Sequence, residues 1–214
     1  MAVRLICLAV GYAFGLIQTA YIIGKMHGID IRNYGSGNAG STNAMRTMGR
    51  KAGLLTFAGD VLKCVCAVLL VRRIFGAGHR EMLPLLSLYA SAGVILGHNF
   101  PFYLKFRGGK GIACTVGLAA MLGWPFFALG FASFALIFFT THYVSLGSVV
   151  GYALLFAEAV VLGQWGYFGV SQPVLWEMYT LLAILSVMAI YRHRGNLSRL
   201  FAGTESKMYL SRHK

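Results

Sequence analysis

Apolar runs cover approximately residues 3–24, 53–71, 82–97, 112–140, 144–163 and 173–191, and glycine, polar and basic residues gather between them. Each run approaches the ~20 residues an α-helix needs to cross a bilayer, which predicts an all-α, polytopic integral membrane protein. The fourth run holds 29 residues, and one straight helix of that length would be about 43 Å long, well over the hydrocarbon thickness. Gly123-Trp124-Pro125 falls near its middle, and proline disfavours helix at the residue before it. Two short helices meeting there make about seven transmembrane helices, some short; a single kinked helix is the alternative.

Of the 214 residues, 57% are hydrophobic and 12% charged, against about 25% charged in a soluble domain. That length suits one membrane-embedded domain, 1–214. The first run follows a lone Arg4 and has no small-residue cleavage site before the next polar loop, so it reads as a first span rather than a removed signal. Cys7, Cys64, Cys66 and Cys114 lie in or beside apolar runs without metal-ligand spacing, and read as small buried hydrophobes. Cys64 and Cys66 would face opposite sides of a helix.

Nineteen Lys and Arg against six Asp and Glu give a net charge of +13. With seven spans and an external N-terminus, the segments 25–52, 98–111, 141–144 and 192–214 are cytoplasmic and hold five, three, no and six Lys or Arg. The outer segments hold Arg4, Arg72, Arg73 and Arg80. This is the bias expected of cytoplasmic loops, and it places the C-terminus in the cytoplasm. Its excess suggests anionic lipid or an anionic substrate. The same topology brings three polar stretches to one face: 35–46 (GSGNAGSTNAMR), 98–115 (HNFPFYLKFRGGKGIACT) and 192–207 (RHRGNLSRLFAGTESK), with the turn 141–148 beside them.

Their chemistry is that of phosphate binding. In the first stretch Gly35, Gly37 and Gly40 allow successive N–H groups to turn toward one anion. Ser36, Asn38, Ser41, Thr42 and Asn43 add neutral donors and Arg46 a charged fork. Ser41 or Thr42 could cap a short helix leading to Arg46. A flexible connector is the plainer alternative. The spacing approaches a nucleotide-binding loop but lacks its lysine and its flanking strand. In the second stretch Lys105, Arg107 and Lys110 lie among Gly108, Gly109 and Gly111 at a helix start; a basic cluster on lipid headgroups competes with an anion site. His98 reads first as a hydrogen-bonded packing residue, with a place among the phosphate- and substrate-binding residues as the functional alternative. His193, Asn196 and Arg199 lie along one side of a helix that Gly203 would end, with Glu205 following; an amphipathic surface tail is the alternative. Asp60 and Lys63 share a face within the second span and suggest a structural ion pair that steadies the motif arginines. Glu158 has no evident partner nearby in sequence; it would reach the outer interface, and the sequence assigns it no role.

GSGNAGSTNAMR, GHNFPFYLKFRGGKG and RHRGNLSRLFAGTESK resemble the three signature motifs of the bacterial acyl-phosphate:glycerol-3-phosphate acyltransferases of the PlsY type. The similarity extends to order, spacing, chain length and seven-span layout. It implies a multi-pass enzyme of the bacterial inner membrane, active at the cytoplasmic face. It would transfer a fatty acyl group from acyl phosphate to the 1-hydroxyl of glycerol 3-phosphate. The resemblance implies no cofactor or metal, no nucleic acid and no required protein partner beyond membrane lipid. Carried residue by residue, it makes Ser36 and Arg46 the essential pair of the first motif. The second-motif glycines with Lys105 or Lys110 would hold phosphate, and His193 and Asn196 would complete the substrate site. Glu205 would support structure, and Ser145 is a weaker correspondence. Cys64 stands where the family usually has glycine, which puts close helix packing there in question.

Acyl phosphate already carries a good leaving group, so no protein nucleophile is needed. Either a substrate phosphate oxygen or His193 could take the hydroxyl proton. A small anion or phospholipid transporter is the competing reading, but it would carry polar detail on both membrane faces.

Overall fold

The structure, a computed structural model, describes residues 1–209; Arg212 and Lys214, counted above among the tail cations, lie outside them. Among the described residues there are ten α-helices and no strand. In chain order they are α1 (Ala2–Gly15), α2 (Thr19–Met26), α3 (Ser41–Met48), α4 (Arg50–Phe75), α5 (Leu83–Asn99), α6 (Ile112–Leu122), α7 (Trp124–Thr141), α8 (Val144–Gln164), α9 (Gln172–Arg192) and α10 (Arg194–Phe201). Among the described residues, six segments are long and apolar enough to cross a membrane. The seventh apolar helix, α6, has 11 residues, about 16 Å and half a span.

The fourth apolar run is divided as its proline predicts. Gly123 has φ +137°, and the Tyr167 hydroxyl occupies the place a Cβ would need. Pro125 then sits in the first turn of α7, where its missing N–H costs nothing. Arg72 Nη2 donates to the Met121 carbonyl (2.6 Å), satisfying the end of α6.

The first run is not one helix. The chain breaks between Gly15 and Thr19, and the carbonyls of Gly15, Leu16 and Ile17 each find a side-chain donor. Gln18 Nε2 donates to Gly15 O (3.0 Å), Tyr103 Oη to Leu16 O (2.7 Å) and Lys63 Nζ to Ile17 O (2.8 Å). Gln18 also reaches Gly97 O and His98 O, so the break is tied to the C-terminal end of α5. Non-helical backbone survives at membrane depth only with such partners.

α1 and α5 pack backbone to backbone. Gly11 and Gly15 of α1 meet Gly93 and Gly97 of α5, and a Cβ on any of the four would strike a backbone carbonyl of the other helix. Two small-xxx-small faces thus hold α5 in place. α4 and α6 also pack closely despite Cys64, because Gly117 of α6 stands opposite it; a Cβ there would lie 2.8 Å from the Cys64 Cβ. Cys64 is buried and Cys66 exposed, as their spacing predicts. Leu85, Leu88, Ile95, Leu118, Phe126, Met178 and Leu182 fill the space between α5, α6, α7 and α9. At the end of the bundle remote from the glycine-rich loops, Arg4 grips Glu177 with two bonds (2.6 and 2.8 Å), and Tyr89 donates to the same carboxylate.

Candidate active site

All three polar stretches line one cavity of about 1890 Å³. Its walls include Gly35 to Asn38, Gly40 to Thr42 and Arg46, His98, Arg107, Gly108, Lys110 and Gly111, then His193, Asn196, Arg199 and Glu205. Ser145 and Ser148 of α8 join them.

The first stretch follows a 3₁₀ turn, Ile31–Asn33, anchored by an ion pair between Arg32 and Asp30 (2.6 Å). Arg32 hydrogen bonds hold the Asp30 carboxyl down at about 2, and Arg32 Nη1 reaches across to Leu104 O (3.0 Å) in the second stretch. Gly35 and Gly37 take positive φ, +57° and +69°. Asn43 staples the resulting loop: its Oδ1 accepts from Ser36 N (2.9 Å), and its Nδ2 donates to Tyr34 O (3.0 Å). Asn43 therefore shapes the loop rather than offering its amide to a ligand. The expected helix begins at Ser41, but its N-cap is Gly40 and no side chain caps it. Neither Ser41 nor Thr42 plays the capping part expected of it; both line the cavity.

The second stretch turns sharply through Lys105 and Phe106, both left-handed (φ +55° and +58°). This turn leaves Lys105 exposed and outside the cavity lining, unlike Lys110. Gly108 N and Gly109 N are bonded to the carbonyls of Asn99 (3.3 Å) and His98 (3.0 Å), so these amides do not cradle an anion as expected. The glycines serve close approach instead. A Cβ on Gly108 would strike His98 O; one on Gly109 would strike His98 Nε2 and lie 3.0 Å from Ala39 O of the first stretch. Among the described residues, the amides of Lys110, Gly111 and Ile112 at the start of α6 have no acceptor.

His98 belongs to a buried polar group. Lys63 Nζ bonds Asp60 Oδ1 (2.7 Å) and donates to His98 Nδ1 (2.8 Å), while Thr19 Oγ1 donates to Asp60 (3.0 Å). The expected Asp60–Lys63 pair is present, but it steadies His98, not the motif arginines. Asp60, His98 and Cys114 could hold a metal by proximity; the Lys63 ammonium already bonds the first two.

In the third stretch His193 Nδ1 faces Ala189 O (2.8 Å), so that nitrogen carries the proton and Nε2 is an acceptor. Burial and the charge of Lys110 lower His193 to about 4. Burial, with Arg199, Arg192 and Arg46 nearby, lowers Lys110 to about 8. Lys110 Nζ donates to Asn196 Oδ1, and Asn196 Nδ2 donates to Glu205 Oε1 (2.6 Å). Ser145 Oγ and Arg199 Nε complete the Glu205 carboxylate, each at 2.8 Å. Burial works to raise Glu205, but these three donors together hold it below the ordinary carboxylate range. Arg46 Nη2 bonds Ser206 O (3.1 Å), joining the first stretch to the third.

Sequence reading missed Arg192. Its Nη2 donates to Gly109 O (2.7 Å) and Gly108 O (3.3 Å), clamping the second stretch from α9. Its place as first residue of the third stretch was the available signal. Away from the cations the cavity becomes apolar, lined by Phe57 of α4, by Phe127, Phe131 and Phe134 of α7, and by Leu155 of α8.

The family model described as glycerol-3-phosphate acyltransferase matches residues 5–203. A glycerol-3-phosphate acyltransferase of Thermoanaerobacter sp. (strain X514) is 41% identical over 207 residues, 93% of this chain and 92% of the relative. One from Clostridioides difficile (strain 630) is 42% identical over 206 residues, 95% of each chain. A crystal structure of PlsY (YgiH), an integral membrane glycerol 3-phosphate acyltransferase in its glycerol 3-phosphate form, superposes with TM-score 0.82 at 30% identity, covering 96% of both chains. Its lysophosphatidic acid form superposes with TM-score 0.80 at 29% identity, over 96% of this chain and 95% of that one.

Proposed function

Because the chain belongs to the glycerol-3-phosphate acyltransferase family, we propose that its cavity transfers a fatty acyl group from acyl phosphate to the 1-hydroxyl of glycerol 3-phosphate, releasing lysophosphatidic acid and phosphate. The observation that carries this reading is one cavity, cationic at one end and apolar at the other. Such a space suits two phosphate groups side by side with an acyl tail leading away from them. The charge bias of the loops supports a bacterial inner-membrane location with the cationic end facing the cytoplasm.

Each phosphate carries about −1.5 to −2 charges, so their mutual repulsion in a partly dry site is the main obstacle. Arg46, Lys110 and Arg199 offset it, and an incoming anion raises Lys110 from about 8, keeping it charged. The α6 amides of Lys110 to Ile112 add oriented donors. Ser36, which lines the same cavity, donates its hydroxyl to a phosphate oxygen.

In the reaction the 1-hydroxyl oxygen bonds to the acyl carbonyl carbon, and the bond from that carbon to the phosphate oxygen breaks with its electrons on phosphate. The hydroxyl proton passes to a phosphate oxygen of glycerol 3-phosphate, whose second pKa is about 6. A histidine lowered to about 4 is a poorer base; His193 Nε2 instead accepts a glycerol hydroxyl hydrogen bond and orients it. Activity then rises with pH through about 6, as the substrate phosphate loses its second proton.

Purified protein in a bilayer mimic tests the reading. Phosphate release from acyl phosphate that depends on glycerol 3-phosphate, with lysophosphatidic acid appearing in equal amount, supports it. Phosphate release that ignores glycerol 3-phosphate, or uptake of either compound without chemistry, counts against it.

A further inference from the structure

The apolar half of the cavity ends at a residue that the transfer chemistry does not use. On α8 the cavity-facing positions include Ser145, Ser148, Tyr152, Leu155 and Glu158, a stripe at helical spacing. Ser145 marks the headgroup end through its bond to Glu205. Glu158 lies thirteen residues further along, about 20 Å at 1.5 Å per residue. α7 and α8 are antiparallel neighbours with Gly147 against Phe134, which brings Glu158 level with the Gly123 end of α7. The lining there is otherwise apolar, from Ala119, Phe126 and Phe127.

Glu158 differs from the other two acids of the lining. Asp60 and Glu205 are both held by cations, whereas Glu158 makes no hydrogen bond or ion pair with any described residue. A carboxylate within a membrane-spanning helix is costly and, when kept, marks a substrate path. It also repels the one thing an acyl cavity is made to accept, because a methyl end pressed against it removes water from a charge.

We propose that Glu158 is the length gauge of the acyl-binding half of the cavity, its carboxylate disfavouring any chain long enough to reach it. The proposal rests on the acyl-transfer reading above. A C–C bond of ~1.5 Å advances an extended chain by about 1.25 Å. From Ser148 the distance to Glu158 is about 15 Å and from Ser145 about 20 Å. Chains of roughly 12 to 16 carbons therefore fit, and longer ones meet the carboxylate.

The test compares the full-length protein with Glu158→Gln, which keeps the shape and removes the charge. Phosphate release is measured with acyl phosphates of increasing chain length at fixed glycerol 3-phosphate. The readout is the ratio of kcat/KM for an eighteen-carbon donor to that for a fourteen-carbon donor, which cancels differences in the amount of folded enzyme. The gauge predicts that this ratio rises roughly tenfold in E158Q, as about two further methylenes gain apolar burial. The same ratio in two active proteins overturns the gauge and leaves the transfer reading standing. No glycerol-3-phosphate-dependent release from any donor, in either protein, overturns the transfer reading and the gauge with it.

Discussion

Replacing Lys110 by Met should make the protein more stable and nearly inactive. Burial lowers this lysine from an ordinary 10.5 to about 8. At 1.36 kcal/mol per pKa unit, holding the charge in the folded site costs about 3 kcal/mol relative to water. Lys110 keeps some contact with solvent, which trims the cost to ~2 kcal/mol. Its bond to Asn196 returns about 1 kcal/mol. K110M then gains about 1 kcal/mol, an unfolding midpoint about 2–4 °C higher for a chain of this size. The pH dependence gives a second check. The folded pKa is the lower one, so between about 8 and 10.5 the unfolded chain binds more protons and wild-type stability rises with pH. K110M lacks that rise, so its advantage is full below about pH 8 and fades toward pH 10.5. Turnover should fall by about 10²–10³-fold with the loss of a preorganised charge beside the reacting phosphate. Thermal unfolding in detergent and phosphate release measure the two effects. A midpoint several degrees lower, or activity within tenfold of wild type, would refute the idea that this cation is kept for binding at the expense of stability.

Gly108→Ala places a methyl group against His98 O and Pro101 Cδ, neither of which can retreat. It should destabilise by about 1–3 kcal/mol and cut turnover more than tenfold, as read by the same two assays. Asp60→Asn leaves the Lys63 ammonium buried without its counter-ion. It should cost about 3–5 kcal/mol, seen as a lower unfolding midpoint that bound glycerol 3-phosphate only partly restores. His193→Gln should keep kcat within a few-fold while raising KM for glycerol 3-phosphate; loss of kcat at unchanged KM would make the histidine the base.

The spans were readable because membrane helices leave a strong apolar signal, and the split at Gly123 because proline carries its geometry with it. The convergence of the three polar stretches on one cavity was readable too, since glycines beside arginines do nothing for a transmembrane bundle. What escaped depended on partners distant in sequence. The break after Gly15 is held by Lys63, Tyr103 and the C-terminal end of α5, none of them near it in the chain. Lys105 and Lys110 look alike in the sequence, but two left-handed residues turn one outward. Gly108 and Gly109 resemble anion-binding glycines, yet their N–H groups close the loop on His98 and Asn99. The pairs Gly11/Gly15 and Gly93/Gly97 were not singled out in the sequence, because only their mutual contact shows how α5 is seated.

The most direct test is the position of glycerol 3-phosphate in a crystal structure of this protein. Its phosphate should lie about 3 Å from Lys110 Nζ and the first α6 amides, with Arg46 and Arg199 closing around it and the 1-hydroxyl toward His193. A phosphate bound elsewhere, or touching only one of the three stretches, would contradict the account.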